Sequence, residues 1–181
     1  MPRHTLDGAS SAGAHSGRKR TTPRRSARAV SVNIPGWRQL SLSTLVLDFN
    51  GTLALDGRLI RGVTPRLRAL RRILKVHVLT ADTFGTAAEQ LRPLSIPVTK
   101  IGTGSDKARV VRALPIGTVA AIGNGRNDGP MLRWAALRIA IIGPEGGASE
   151  TIKNADVIVP SITAALDLLL HPQRLVATLR S

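Results

Sequence analysis

The sequence predicts one α/β domain built on a parallel β-sheet of about six strands. From residue 33 onward, short apolar segments alternate with amphipathic segments of helical period, which is typical of a sheet whose parallel strands are joined by right-handed crossover helices. Residues 44–47 (TLVL) form an uncharged, mainly apolar run, as expected for a strand covered on both faces. Polar residues follow several of these strands, at the sheet edge where α/β proteins place their ligand sites.

The elements can be assigned in chain order. The expected strands are residues 44–47, 76–80, 98–101, 118–122, 138–142 and 156–159. The expected helices begin at Thr64-Pro65, where proline suits a first helical position, and then span residues 83–91, 105–114, a segment after 128, 148–154 and 162–170. Asp56-Gly57 is a strong hairpin turn between two short apolar arms, which predicts a small β-hairpin flap after the first strand.

Composition excludes several classes of protein. The chain has 181 residues and no cysteine, so it has no disulfide, thiolate metal site or cysteine nucleophile. No apolar run approaches the roughly 18 residues of a membrane helix, and no signal-type apolar segment follows the basic start. We therefore expect a soluble, cytoplasmic protein without a membrane partner.

The net charge of +15 is divided between two regions. Residues 1–33 carry seven basic residues against Asp7, and they lack hydrophobic periodicity, which predicts a disordered basic tail ahead of a domain over residues 34–181. The run RKRTTPRR could be a nucleic-acid arm or part of a transit sequence. We favour a solvated tail or an over-extended start of translation, although no methionine lies between Met1 and Met131.

Four polar clusters fall at strand ends or at a helix start: residues 48–52, residues 80–82, Lys107 and residues 124–128. In a parallel sheet these positions gather on one edge. Their side chains suit phosphoryl transfer, since a carboxylate can attack phosphorus and a hydroxyl and an ammonium can hold the phosphoryl oxygens. A second carboxylate can bind Mg²⁺, which prefers oxygen ligands.

In this order the motifs resemble the haloacid dehalogenase (HAD) superfamily. The similarity covers about residues 45–170 and is closest to the phosphorylation domain of P-type ATPases and to small soluble P-type-ATPase-like proteins. It is carried by the strings DFNGT, LTAD, DKARVV, GNGRNDGPML and NADVIV. The resemblance implies a three-layer, Rossmann-like, HAD-like fold and the activity of a Mg²⁺-dependent phosphatase or hydrolase.

The resemblance also implies residue roles. Asp48 matches the phosphorylated nucleophile, and Asp82 matches the acid of an ATPase motif. Thr52 matches a residue that braces the nucleophile loop. The implied catalytic residues are Asp48, Asn50, Thr80 and Lys107. The implied phosphate-binding residues are Asp48, Thr80, Lys107 and Asn127. The implied metal ligands are Asp48, Asn50 through its backbone carbonyl, Asn124 and Asp128.

Two positions depart from the pattern of the superfamily. Most of its phosphatases carry an acid two residues after the nucleophile, where this chain has Asn50. An amide cannot act as a general acid or base at neutral pH, and such catalysis is typically worth about 10² to 10⁴ in rate, so we expect slow hydrolysis. Asn124 replaces a metal-binding aspartate, which predicts weaker Mg²⁺ binding because one negative charge is missing.

The spacing between motifs leaves no room for a cap domain. Only 27 residues separate Thr52 from Thr80, and 26 separate Thr80 from Lys107. We therefore expect an open crevice. By resemblance, capless members act on large substrates or close the site with another subunit, so a homo-oligomer is one expected arrangement.

Three functions remain open on the sequence. The first is a Mg²⁺-dependent phosphohydrolase or phosphotransferase that acts through Asp48. The second is a catalytically weakened relative that binds a phosphorylated ligand or a protein partner, which Asn50 and Asn124 favour. Nucleic-acid binding by the basic tail ranks last, because no aromatic residue interleaves its charges.

Overall fold

The structure, a computed structural model, describes residues 29–181. Its ten strands are β1 (Val30–Ile34), β2 (Arg38–Leu42), β3 (Thr44–Leu47), β4 (Ala54–Leu55), β5 (Arg58–Leu59), β6 (Lys75–Thr80), β7 (Val98–Lys100), β8 (Val119–Gly123), β9 (Leu137–Ile141) and β10 (Val157–Val159). Its seven α-helices are α1 (Val63–Leu70), α2 (Ala87–Leu91), α3 (Gly104–Arg112), α4 (Gly129–Leu132), α5 (Ser149–Lys153), α6 (Ile162–Leu170) and α7 (Gln173–Leu179).

Six strands form one parallel sheet in the order β10-β9-β8-β3-β6-β7. The strand β3 lies at the centre, where Leu47 is level with Ile122 of β8 and with Val78 of β6. Because the three strands are parallel and in register, the polar residues that follow them emerge at one edge. The predicted α/β class and the predicted number of strands are confirmed.

Helices cover both faces of the sheet and make a three-layer domain. Alternate residues of β3 point to opposite faces, as the pleat requires: Leu45 and Leu47 join the larger apolar cluster, and Val46 joins the smaller one. The helices α1 and α6 pack together over the larger cluster, whereas α3 and α4 pack together on the opposite face. Continuous burial of β3 explains its uninterrupted run of non-charged residues.

An antiparallel hairpin of β1 and β2 precedes the central sheet and was not predicted. Val30, Val32 and Ile34 are buried on one face while the residues between them are exposed, so the folded domain begins before residue 34 and the predicted boundary was placed too late. The last helix, α7, which was also not predicted, contacts β1. The rest of the predicted tail, residues 1–28, lies outside the described residues.

The connections between strands are short. The flap predicted at Asp56-Gly57 is present as β4 and β5, and both turn residues have positive φ, 50° and 72°. The second helix is shorter than predicted, because residues 81–86 form a loop in which Asp82 has φ 51°. The Ala87 N–H donates to Asp82 Oδ1 at 3.2 Å, and the helix starts there.

Within residues 29–181, the segments between the strands of the central sheet consist of the helices, short loops and the small β4–β5 hairpin given above. None of the described helices is long and apolar enough to cross a membrane.

The buried face of the β1–β2 hairpin provides a test of where the domain begins. We expect Ile34→Ala to lower the free energy of unfolding by about 2 to 5 kcal/mol, because Ile34 is 1% exposed and truncation leaves a cavity. Asn33→Ala, at the neighbouring exposed position, serves as the control. Urea denaturation curves of the wild type and both variants check this. A midpoint for Ile34→Ala equal to that of Asn33→Ala would contradict the packing of the hairpin against the core.

Candidate active site

Asp48 directly follows β3 and is held at the sheet edge by backbone hydrogen bonds. Its N–H donates to the Ile122 carbonyl at 3.1 Å. The carbonyl of Phe49, a core residue, then accepts from the N–H groups of Leu53 and Ala54 at 2.8 and 2.9 Å. Gly51 makes the tight turn possible because its φ is 74°, which residues with a Cβ rarely adopt. The local sequence therefore fixes the direction in which the Asp48 carboxylate points.

Lys107 lies between two carboxylates. Its Nζ is 2.5 Å from Asp48 Oδ1 and 2.6 Å from Asp128 Oδ1, and its side chain is almost fully buried. The helix α3 that carries Lys107 begins with a capping box, in which Thr103 and Asp106 bond each other's backbone N–H groups. A buried ammonium requires such paired partners, since an unpaired buried charge is strongly unfavourable.

Asp128 is fully buried and uses both carboxylate oxygens within the protein. Oδ1 accepts from Lys107, and Oδ2 accepts from the N–H groups of Asn124 and Gly125 at 3.0 and 2.9 Å. A Cβ on Gly123 would overlap the Asp128 side chain, which explains the glycine at the end of β8. In this geometry Asp128 positions Lys107 and the turn of residues 124–128. Its predicted role as a metal ligand stays a prediction.

Thr80 ends β6 and is 1% exposed. Its Oγ1 accepts from the Asp82 N–H at 2.9 Å, which leaves the hydroxyl hydrogen to donate to a ligand. Asp82 accepts from the Ala87 N–H at the start of α2, as described above, and so supports the loop of residues 81–86.

Asn124 follows β8 and is fixed by two hydrogen bonds. The Thr52 hydroxyl donates to Asn124 Oδ1 at 3.0 Å, and Asn124 Nδ2 donates to the Gly146 carbonyl at 3.2 Å. Thr52 is buried, and it links the nucleophile loop to the loop after β8. By contrast, the side-chain oxygen of Asn50 is buried and has no hydrogen-bond partner among residues 29–181.

These loops enclose a polar cavity of about 130 Å³. Its lining residues are Asp48, Asn50, Thr80, Ala81, Thr83, Asn124, Gly125, Asn127 and Glu145. The structure therefore brings five of the predicted site residues to one cavity, namely Asp48, Asn50, Thr80, Asn124 and Asn127. The other two are not among its lining residues: Lys107 contacts Asp48, and Asp128 contacts Lys107. Thr83 and Glu145 were not predicted, since neither follows a strand of the sheet directly.

The carboxylates outnumber the ammonium in this cluster. Burial, together with the charge of Asp128, raises the pKa of Asp48 from 3.8 to about 7, although the charge and hydrogen bond of Lys107 act in the opposite direction. Burial alone would lower the pKa of Lys107, but the charges of Asp128 and Asp48 and their hydrogen bonds outweigh it, so that pKa is raised. Lys107 is therefore charged at neutral pH, and it only partly neutralises its two partners.

The donor atoms fit a hard divalent cation such as Mg²⁺. No group of three His, Cys, Asp or Glu side chains arranged to hold a metal occurs in the described part of the chain. Mg²⁺, however, commonly uses one or two carboxylates and completes its shell with other oxygens and water. Asp48, Asn50 and Asn124 line one cavity and offer such oxygens. They are the Asp48 carboxylate, the Asn124 amide and, at Asn50, the predicted backbone carbonyl and a buried side-chain oxygen that has no partner among residues 29–181.

Comparison with known proteins gives two relatives by sequence, both uncharacterized proteins of Methanocaldococcus jannaschii. One of them, MJ0072, is 44% identical over 39 residues, which are 22% of this chain and 89% of that protein. No family model matches this chain. The uncharacterized protein MJ0073 of Methanocaldococcus jannaschii is 44% identical over 84 residues, which are 42% of this chain and 90% of that protein.

Solved structures with the same fold are more distant in sequence. A protein from Streptomyces avermitilis that is assigned to the HAD family hydrolases has a TM-score of 0.57 at 23% identity, covering 71% of this chain and 82% of its own. The 3-deoxy-D-manno-octulosonate 8-phosphate phosphatase of Moraxella catarrhalis, solved with magnesium and phosphate ions, has a TM-score of 0.59 at 18% identity, covering 75% and 90%. A zinc-transporting PIB-type ATPase in the E2P state has a TM-score of 0.54 at 22% identity, covering 66% and 20%.

The chain shares its fold with these solved structures, which include a HAD family hydrolase and a P-type ATPase, as the resemblance in sequence had led us to expect. By sequence, the chain belongs to the same family as MJ0073.

The raised pKa of Asp48 predicts a pH-dependent stability in the absence of metal. Between its ordinary pKa of 3.8 and its folded value of about 7, the folded state holds a proton that the unfolded state has lost. The protonation of Asp48 therefore adds to the free energy of unfolding below pH 3.8, and this contribution falls as the pH rises and is lost above about 7.

Thermal unfolding of metal-free protein at pH 5 and pH 7.5 measures this effect. The wild type should lose more stability over this interval than Asp48→Asn, by a few kcal/mol at most. Comparing the two proteins cancels the titration of other groups, such as His77, whose pKa burial lowers. Parallel pH curves for the two proteins would contradict the raised pKa.

Proposed function

We propose that the protein is a Mg²⁺-dependent phosphohydrolase or phosphotransferase that acts through an aspartyl-phosphate at Asp48. The observation that carries the proposal is the contact of the Asp48 carboxylate with the buried Lys107 ammonium at the back of a polar cavity. Thr80 lines the same cavity and has a hydroxyl hydrogen available. Together these groups provide a nucleophile and donors for phosphoryl oxygens.

In the first step, one Asp48 oxygen attacks the phosphorus atom of the substrate. A new bond forms between that oxygen and phosphorus, and the bond to the leaving-group oxygen breaks, with the electron pair staying on the leaving group. Lys107 and Thr80 hold the phosphoryl oxygens, and Asn127, at the mouth of the cavity, is a further donor. Positioning and electrostatic stabilisation of this kind dominate phosphoryl transfer.

In the second step, water attacks the phosphorus of the aspartyl-phosphate. The bond from Asp48 breaks, inorganic phosphate leaves, and the carboxylate is regenerated. For a phosphotransferase, an acceptor hydroxyl replaces the water. Asp48, Asn50, Asn124 and Asp128 are the residues that would hold Mg²⁺, which when bound would neutralise phosphoryl charge. The M. catarrhalis phosphatase, of the same fold, was solved with a magnesium ion and phosphate.

Asn50 limits both steps. It lines the cavity beside Asp48 but has no proton of suitable acidity for the leaving group, and it cannot remove a proton from water. We therefore expect good leaving groups to be preferred and the aspartyl-phosphate to persist. Because no cap domain interrupts residues 29–181, the substrate can be large, and a second copy of the chain is one means of covering the site.

A second candidate function is binding of a phosphorylated ligand or protein without turnover. It is favoured by two amides, Asn50 and Asn124, at cavity positions where general-acid and metal-binding carboxylates are expected. Lys107 and Thr80 would bind a phosphate group equally well in that case.

Hydrolysis of p-nitrophenyl phosphate with Mg²⁺ distinguishes the two functions. We expect slow turnover by the wild type, none by Asp48→Asn, and a gain of about 10² to 10⁴ for Asn50→Asp, since this change restores the general acid and base. Asn33→Asp, which makes the same change in charge at an exposed position of β1, is the matched control and should leave the rate unchanged.

Two outcomes would overturn the enzymatic proposal. One is equal rates for wild type and Asp48→Asn. The other is absence of turnover in Asn50→Asp together with phosphate binding to the wild type, which would establish the binding function instead.

A further inference from the structure

Glu145 lies in a tight turn that is tied to the active site. The Gly146 N–H donates to the Gly143 carbonyl at 2.8 Å, so Pro144 and Glu145 occupy the centre of a β-turn between β9 and α5. Asn124 holds this turn from the other side, since its side chain donates to the Gly146 carbonyl and its own carbonyl accepts from the Ala148 N–H at 2.8 Å. The loop that follows β8 therefore determines where Glu145 lies.

The carboxylate of Glu145 and the amide of Asn124 converge on one point. A Cβ placed on Gly51 would lie 2.8 Å from Glu145 Oε2, 2.8 Å from Asn124 Oδ1 and 2.6 Å from Asn124 Nδ2. Gly51 follows Asn50, whose side-chain oxygen is buried without a partner among the described residues. These oxygens line the same cavity as Asp48.

The ion pairs of the described residues do not include Glu145. By contrast, Glu150, a few residues later, pairs with Arg126 and Arg133. The nearby Lys107 is already shared by Asp48 and Asp128. Glu145 is exposed to solvent, so water solvates its carboxylate when no metal is bound. A divalent cation in the cavity that Glu145 lines would gain a charged oxygen ligand from it.

We propose that Glu145 supplies, from a different loop, the carboxylate that is missing at Asn124, and that it binds the active-site Mg²⁺ directly or through a coordinated water. The proposal rests on the function proposed above. If Glu145 supplies a carboxylate, the cation has as many charged ligands as it would with an aspartate at position 124. Mg²⁺ binding is then not weakened by Asn124, in contrast to the expectation from the sequence motifs. The amide of Asn124 then serves to hold the turn that presents Glu145.

Binding of Mn²⁺ alone, followed by the loss of its free-ion electron paramagnetic resonance signal, tests the proposal without turnover. Mn²⁺ takes the same oxygen ligands as Mg²⁺. We expect Glu145→Gln to weaken binding about tenfold or more, because affinity follows the number of charged ligands. Glu89→Gln, which removes the same charge from an exposed position on α2, should bind as the wild type does.

A double-mutant comparison identifies the role of Glu145 more directly. Asn124→Asp should bind Mn²⁺ at least as tightly as the wild type, and Glu145→Gln should cost less in the Asn124→Asp background than alone, because one carboxylate then substitutes for the other. Circular dichroism confirms that each variant is folded.

The possible outcomes separate this inference from the proposed function. If the wild type binds Mn²⁺ and folded Glu145→Gln binds it equally well, the role of Glu145 is overturned while the phosphoryl-transfer proposal stands. A loss of turnover in Glu145→Gln with unchanged Mn²⁺ affinity would also overturn it and would make Glu145 a proton-transfer residue. If the wild type binds no Mn²⁺, both the role of Glu145 and the metal dependence fail.

Discussion

The buried Lys107 ammonium between Asp48 and Asp128 is the interaction on which the site depends. It joins the end of β3, the first turns of α3 and the loop after β8, three elements that are distant in sequence. Breaking a buried pair of this kind typically costs about 3 to 5 kcal/mol, because a charge is left uncompensated. Gly123, the capping box of α3 and the backbone donors to Asp128 all serve to keep these three groups in contact.

The same interaction leaves the cavity short of positive charge. One ammonium serves two carboxylates, and the pKa of Asp48 is raised by burial and by the charge of Asp128. A divalent cation would supply the missing positive charge, and it is needed more once an anionic phosphoryl group enters, since Lys107 is the one ammonium shared by the two carboxylates. In the proposed mechanism Asn50 affects a different property, namely how fast the covalent intermediate is lost. Charge balance would then govern whether phosphate binds, and Asn50 would govern how long it stays.

The sequence was sufficient to predict the central sheet and the position of Asp48, Thr80 and Lys107 at one edge of it, because parallel strands that alternate with helices place strand ends together. The chemical roles of these residues stay predictions. It was insufficient for the β1–β2 hairpin, whose short strands alternate with polar residues and follow a basic segment. Glu145 was missed because its position depends on hydrogen bonds from Asn124 across two loops. Likewise, spacing alone could not show that the oxygens of Asp128 are taken by Lys107 and backbone donors.

The most direct test of the account is to locate the covalent phosphate. The protein is incubated with acetyl phosphate and Mg²⁺, quenched in acid, digested and examined by mass spectrometry. The account predicts phosphate on the peptide that contains Asp48, lost more slowly from the wild type than from Asn50→Asp. Phosphate on another residue, or none on either protein while Mn²⁺ binding is intact, would contradict it.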